Sequence, residues 1–102
     1  MVIHDAEKGQ VVFVYRPVAP VRKVCVVGDF NGWDPGARRM SRVPKDGTYR
    51  ARTSLAPGRY EYKFVVDGEW GVDADANEQL ANPYGTQNSV LVVTSASGSA
   101  GR

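Results

Sequence analysis

The sequence contains few of the residues that form disulfides, metal sites and catalytic centres. Its 102 residues include one cysteine, Cys25, and one histidine, His4, so neither an internal disulfide nor a cluster of cysteine and histidine metal ligands can form. Cys25 lies in the apolar run VCVV, which predicts a small buried thiol and fits a reducing, cytoplasmic compartment. His4 lies in a polar terminus and is expected to be inert. We therefore predict no bound metal and no cofactor.

The chain also has neither a large excess of charge of one sign nor a long apolar run. Lysine and arginine together number 13 against 11 for aspartate and glutamate, which gives a formal net charge of +2. So small an excess provides no strong electrostatic attraction for nucleic acid or an anionic membrane. No apolar run approaches the length of a membrane span, and the start MVIHDAEKGQ lacks the hydrophobic segment of a signal peptide. We expect neither nucleic acid nor a membrane as a partner.

No segment of ten residues has a helical pattern, and the chain instead contains short segments rich in valine and aromatic residues. The clearest are QVVFVYRP (10–17), KVCVV (23–27), GTYRARTSL (47–55), RYEYKFVV (59–66) and NSVLVV (88–93). About seven short strands at this spacing predict an all-β, antiparallel sandwich. We assign residues 1–93 to a single domain and the small, polar residues 94–102 to a flexible tail.

Strand alternation predicts which aromatic residues are buried. Because residues two apart share a face, two rows of side chains are expected to point into the core. These rows are Val24, Val26, Gly28 and Phe30, and Tyr60, Tyr62, Phe64 and Val66. Trp33 lies beyond the Asn31-Gly32 turn of the stretch GDFNGWD (28–34), out of register with its row, so it need not be buried.

The second tryptophan is placed by a predicted hairpin. Asp67-Gly68 between two apolar runs is a preferred two-residue hairpin loop, and it sets Val65 opposite Trp70. Trp70 then shares a face with Lys63, its diagonal neighbour on the adjacent strand, and points away from the core. An exposed tryptophan beside a lysine is the result.

A flat aromatic ring near a hydrogen-bonding cation suits two classes of ligand. Sugars stack their C–H face on an indole and direct hydroxyls at polar groups, whereas nucleobases stack with phosphates alongside. The stretch DGEWGVDADANE (67–78) places five carboxylates around Trp70, and these would repel phosphate. The composition therefore favours a sugar.

At this point the sequence resembles a known family, the glycogen- and starch-binding domains of carbohydrate-binding module family 48. The stretches that carry the resemblance are GDFNGW, RYEYKFVVDGEW and NPYGTQNSVLVV, which occur in the family's order and span roughly residues 10–93. The resemblance implies an immunoglobulin-like (early-set) β-sandwich that binds α-1,4-glucan helices. The family includes the glycogen-binding domain of the AMP-activated protein kinase beta subunit and N-terminal domains of branching and debranching enzymes.

The resemblance also implies which residues bind the glucan. The motif tryptophan corresponds to Trp33, the lysine and tryptophan of the hairpin to Lys63 and Trp70, and the later Gly-Thr-x-Asn to residues that include Thr86 and Asn88. In one place the chain departs from the family, because Tyr84 stands where the kinase-type domain has a leucine that slots into the curve of the glucan. Tyr84 either stacks on the sugar or fills the site and weakens cyclic or branched ligands.

Each tryptophan also has a structural interpretation. Trp33 can cover one end of the sandwich as a plug, since tryptophan is usually well buried. Trp70 can lie under the loop of residues 71–87.

The other candidates have structural alternatives as well. Lys63 can be a solvated charge, and Tyr84 can simply anchor its loop after Pro83. Thr86 and Asn88 can cap a turn or open a strand.

Catalysis is the second class of function, and it can be tested against the acidic residues. Glycoside hydrolysis needs two carboxyls about 5–9.5 Å apart across a cleft, one of them held protonated. Asp73 and Asp75 form an i, i+2 pair in a predicted loop, where we expect both to be exposed, and a sandwich of this size has little room for a deep cleft. We therefore predict a domain that is not an enzyme.

The sequence thus predicts a noncatalytic α-glucan-binding module, with Trp33 and Trp70 as stacking platforms and Lys63, Thr86 and Asn88 as hydrogen-bonding groups. A glycogen-metabolising enzyme is an expected associate. The alternative is a protein-interaction module of immunoglobulin-like fold that uses the same aromatic patch on a protein partner.

Overall fold

The computed structural model describes residues 1–76 and 78–94, and nine β-strands lie in that part of the chain. In chain order they are β1 (Val2–Asp5), β2 (Gln10–Tyr15), β3 (Val24–Gly28), β4 (Ser41–Val43), β5 (Thr48–Ser54), β6 (Gly58–Val66), β7 (Glu69–Gly71), β8 (Glu78–Ala81) and β9 (Gln87–Val93). Apart from a 3₁₀ turn at Ala6–Lys8, the described residues contain no helix. They therefore include no helix that is long and apolar enough to cross a membrane. Residues 95–102, most of the predicted tail, lie outside the described residues.

The strands form two antiparallel sheets. The first has the order β1-β2-β5-β4, and the second has the order β3-β6-β9-β8, with β7 also paired to β6. The two sheets pack face to face, which confirms the predicted all-β sandwich. We refer below to the side of the second sheet that faces away from the first as its outer face.

The prediction of about seven strands was too low. β1, β4 and β8 escaped it because they are three or four residues long, with the sequences VIHD, SRV and EQLA. Each lies at the edge of its sheet, where natural proteins favour short strands and charged side chains over apolar alternation. Pattern reading misses such strands because the neighbouring strand, rather than the sequence of the edge itself, determines them.

The main core lies between the sheets and contains the two predicted rows. Val24, Val26, Tyr62 and Phe64 are almost completely buried there, packed against side chains of β2 and β5. Phe30 is partly buried at the margin of this core. The alternation along β3 and β6 therefore predicted the inward rows correctly.

A second, smaller apolar cluster lies on the outer face of the second sheet. Cys25, Val27 and Val65 form it, and Trp33 packs on them from the loop that follows β3. The buried thiol of Cys25 is as predicted. Trp33, from the chain between β3 and β4, therefore covers outward apolar side chains and lies at the site described below.

Candidate functional site

A groove of about 720 Å³ lies on the outer face of the second sheet. All six residues predicted to bind the ligand line it: Trp33, Lys63, Trp70, Tyr84, Thr86 and Asn88. They come from four different parts of the chain, namely the β3–β4 loop, β6, β7 and the segment from the β8–β9 turn into β9. The fold thus brings the three separated sequence motifs to one surface.

The turn that carries Trp33 is fixed by backbone and side-chain hydrogen bonds. The Gly28 carbonyl accepts hydrogen bonds from the backbone N–H groups of Asn31 and Trp33, both at 3.1 Å. The Asn31 side chain accepts from the Gly28 N–H and donates to the Val26 carbonyl, each at 3.0 Å. Gly32 and Trp33 both have positive φ, 68° and 60°. A non-glycine residue rarely adopts this conformation, and here the bonds around it hold it in place.

The ring of Trp33 is held on two sides. It packs on the apolar cluster of Cys25, Val27 and Val65, and its Nε1–H donates to Asp29 Oδ1 at 3.2 Å. The residue is half-buried, yet it lines the groove. Trp33 therefore combines the two interpretations of the sequence, because it covers an apolar patch and also presents ring surface to the groove.

Trp70 is presented by the predicted hairpin. Val65 pairs with Trp70 and Val66 with Glu69, which is the predicted register. Asp67 and Gly68 have φ of 50° and 87°, as a type I′ turn requires. Trp70 is 47% exposed, an unusual degree for so large an apolar side chain.

Lys63 is not the solvated surface charge that the sequence allowed as its structural alternative. Only 8% of the residue is exposed, and its Nζ donates to Thr86 Oγ1 at 2.9 Å. Within residues 1–76 and 78–94 it forms no ion pair. An ammonium has three N–H groups, so two remain without a protein acceptor in that part of the chain, beside the groove. A buried cation in this state favours a ligand that brings hydrogen-bond acceptors.

The turn between β8 and β9 displays Tyr84. Asn82 Oδ1 accepts the backbone N–H groups of Tyr84 and Thr86, at 3.0 and 3.2 Å, and Gly85 adopts a φ of 82°. Tyr84 itself is 89% exposed at the rim of the groove. It does not anchor the loop, because Asn82 does so. The dipeptide Asn82-Pro83 is a turn signal that could have identified this role.

Asn88 is buried, and both the oxygen and the nitrogen of its side-chain amide already make hydrogen bonds. Its Oδ1 accepts from Asn82 Nδ2 and its Nδ2 donates to Glu61 Oε1, both at 2.9 Å. One N–H of Asn88 is left for a ligand, so its capacity is smaller than the sequence suggested.

Two carboxylates of the groove, Asp29 and Glu61, were missed by the sequence analysis. Asp29 accepts the Trp33 indole N–H through Oδ1 and the Glu61 backbone N–H through Oδ2, the latter at 2.8 Å. Glu61 holds Asn88, as described above. Strand alternation could have found Glu61, since it lies two residues before Lys63 on the same face of β6. Nothing in the sequence marked Asp29 as a partner of Trp33.

Asp73 was predicted to be exposed near Trp70, and the structure shows that this is wrong. It is 3% exposed, and its Oδ2 accepts from the Tyr62 hydroxyl at 2.7 Å and from the amino group of Met1. Burial, and then the hydrogen bond to Asp73, raise the pKa of Tyr62. Asp73 therefore belongs to a polar cluster at the core, and none of the five carboxylates predicted around Trp70 lines the groove.

The groove consequently carries little net charge, with one ammonium and two carboxylates that already hold other side chains. In the described ranges, no group of three histidine, cysteine or acidic side chains is arranged to hold a metal ion. The groove offers a ligand aromatic surface, N–H and O–H donors, and the remaining lone pairs of the Asp29 and Glu61 carboxylates.

Comparisons with known proteins identify the family and the fold of the chain. The sequence profile described as "Glycogen recognition site of AMP-activated protein kinase" matches residues 10–98. Protein FLOURY ENDOSPERM 6, chloroplastic, of Oryza sativa subsp. japonica is 41% identical over 75 residues, which cover 74% of this chain and 13% of that protein. The 1,4-alpha-glucan branching enzyme GlgB of Synechococcus sp. (strain JA-2-3B'a(2-13)) is 37% identical over 87 residues, which cover 84% of this chain and 10% of the enzyme.

Among solved structures, the crystal structure of a maltogenic amylase from S. marinus matches with a TM-score of 0.69. The match covers 83% of this chain and 13% of the amylase chain at 22% sequence identity, so the likeness is one of fold. The chain thus spans only 10–13% of the length of each of these three proteins. Since the profile covers most of the chain, this protein belongs to the family of glycogen recognition domains found in AMP-activated protein kinase.

Proposed function

We propose that the domain binds α-1,4-glucan in the groove on its outer face, without catalysis. The observation that carries the proposal is the meeting of two tryptophans with a buried lysine whose N–H groups are only partly used. Family membership supports the same ligand class, because the matched profile describes glycogen recognition.

The groove suits the two-sided chemistry of a glucose unit. The apolar C–H face of the sugar can stack on Trp33 or Trp70, and each contact buries apolar area that contributes about 25 cal/mol per Å². The hydroxyl rim can accept hydrogen bonds from Lys63, Thr86 and the remaining N–H of Asn88. Tyr84 offers a third aromatic ring at the rim.

The proposed absence of catalysis rests on how the groove's carboxylates are used. Asp29 accepts the Trp33 indole and a backbone N–H, and Glu61 accepts the Asn88 amide. Each therefore holds a binding residue in place, whereas a glycosidase needs one carboxyl free and protonated beside the scissile bond. The cytoplasmic location and an association with a glycogen-metabolising enzyme stay predictions.

Co-sedimentation with glycogen tests the proposal, with cellulose as the control polymer. We expect the protein to pellet with glycogen, to stay soluble with cellulose, and to be released from glycogen by maltoheptaose. Reducing-end and branch-linkage assays on the same mixtures should show no turnover. Equal retention on both polymers would contradict glucan recognition, and turnover abolished by Asp29→Asn or Glu61→Gln would contradict the noncatalytic assignment.

A further inference from the structure

We propose that Asn82 is a positioning residue of this site, whose side-chain amide fixes the hydrogen-bond direction of Thr86 and Asn88. These two residues then present donors to the ligand. The proposal rests on the function proposed above, because it concerns how the same groove recognises a sugar. Asn82 opens the stretch NPYGTQNSVLVV, but the resemblance assigned it no role.

The amide of Asn82 makes four hydrogen bonds. Its Oδ1 accepts the backbone N–H groups of Tyr84 and Thr86, which shapes the turn. Its Nδ2 donates to Thr86 Oγ1 at 2.7 Å and to Asn88 Oδ1 at 2.9 Å. One half of the amide therefore builds the loop, and the other half orients two residues that line the groove.

Thr86 is the residue most affected by this arrangement. Its Oγ1 accepts from Asn82 Nδ2 and also from Lys63 Nζ at 2.9 Å. A hydroxyl oxygen has two lone pairs, so both are occupied. What Thr86 can still offer is its O–H, and it becomes a donor to the ligand.

Asn88 is oriented in the same way. Its Oδ1 faces Asn82 and its Nδ2 faces Glu61, so the amide cannot rotate without breaking two hydrogen bonds. One N–H is left over, again a donor. Together with the two free N–H groups of Lys63, these donors suit the hydroxyl and ether oxygens of a glucan.

The substitution Asn82→Asp distinguishes the hydrogen bonds that Asn82 accepts from those that it donates. It keeps the shape and the oxygen that accepts from Tyr84 and Thr86, but it removes both Nδ2 donors. The new carboxylate would instead accept the Thr86 O–H and withdraw it from the ligand. Gln87→Glu is the matched control, since it makes the same chemical change beside Thr86, on an exposed side chain without a hydrogen bond to the rest of the described chain.

Titration with maltoheptaose, with a thermal melt of each variant, tests the proposal. Asn82→Asp should weaken binding roughly fivefold to tenfold, the usual effect of a lost hydrogen bond, with a melting temperature close to wild type. Gln87→Glu should change the affinity less than about twofold. In a Thr86→Val background, Asn82→Asp should weaken binding by a smaller factor than it does in the wild-type background, because only its contact with Asn88 remains for it to act through.

Three results would each overturn the positioning role. The first is an unchanged affinity of Asn82→Asp, the second is a full and additive loss of affinity in the Thr86→Val background, and the third is an unfolded Asn82→Asp protein. The first two results leave the proposed function intact, since the wild-type protein still binds. A wild-type protein that does not bind maltoheptaose removes the proposed function, and the positioning role with it.

Discussion

At the scale of single residues, the two tryptophans of the groove differ in what supports them. Trp33 lies on a buried apolar cluster and is tied to Asp29, whereas Trp70 projects from a hairpin with nearly half of its surface exposed. Burial of apolar area stabilises a fold, so only the first ring is expected to matter for stability as well as for binding.

Substitution of each tryptophan should therefore have different consequences. Trp33→Ala uncovers Cys25, Val27 and Val65 and should lower the free energy of unfolding by about 2–3 kcal/mol. Trp70→Ala should leave it within about 0.5 kcal/mol of wild type, since the ring is largely exposed. Both should weaken glucan binding by roughly tenfold or more. Urea unfolding and maltoheptaose titration of both variants check this, and equal stability losses would contradict the assigned packing.

Lys63 provides a separate residue-scale prediction. Lys63→Met keeps the apolar stem in its buried position and removes the ammonium, so stability should change little. Affinity should fall by about 1–2 kcal/mol because the sugar loses a charged donor and Thr86 loses a partner. Calorimetric titration against maltoheptaose measures the loss. Lys63→Met with wild-type affinity would remove the lysine from the site.

At the scale of elements, the sequence predicted the strands whose pattern is set by burial on one face. The register of the β6–β7 hairpin followed from Asp67-Gly68, and the inward rows of β3 and β6 followed from alternation. The groove residues of these elements were therefore predictable. The contacts of Lys63 with Thr86 and of Glu61 with Asn88 were not predictable, and neither was the burial of Asp73, because they depend on which parts of the chain meet in space.

Gly28 shows how closely two of these elements approach each other. A Cβ atom at this position would lie 2.6 Å from the Glu61 carbonyl oxygen and 2.5 Å from the Phe30 ring. Gly28→Ala should thus push β3 from β6 and lower the free energy of unfolding by about 2–3 kcal/mol. Gly71→Ala is the control, since nothing lies within 4 Å of its Cβ position. Equal melting temperatures for the two variants would contradict the described strand contact.

At the scale of the whole molecule, one buried polar cluster connects the core to the chain between β7 and β8. The Tyr62 hydroxyl donates to Asp73, and the Asp73 backbone N–H donates to Ser89 Oγ at 2.7 Å. The phenol must stay protonated to make the first of these bonds, and burial raises its pKa. Stability should consequently depend on pH in the alkaline range.

The sign of that dependence follows from proton binding. The folded state holds the Tyr62 proton more tightly than the unfolded state, so this contribution is complete below about pH 10 and is lost as the pH rises further. The slope should reach at most about 1.4 kcal/mol per pH unit for one proton. Urea unfolding from pH 7 to 11.5 should show the advantage of wild type over Tyr62→Phe shrinking above pH 10. Tyr84→Phe, at an exposed phenol, is the control, and a constant difference between wild type and Tyr62→Phe would contradict the assignment.

The claim that the groove binds α-glucan through its tryptophans is tested most directly by tryptophan fluorescence. Maltooligosaccharides of increasing length are titrated into the wild-type protein and the Trp70→Ala variant, with cellooligosaccharides of the same lengths as the control. We predict a saturable change in wild-type fluorescence with the α-linked series alone, and an affinity about tenfold weaker for Trp70→Ala. No response to any α-linked chain, or the same affinity for the folded Trp70→Ala protein, would contradict the account.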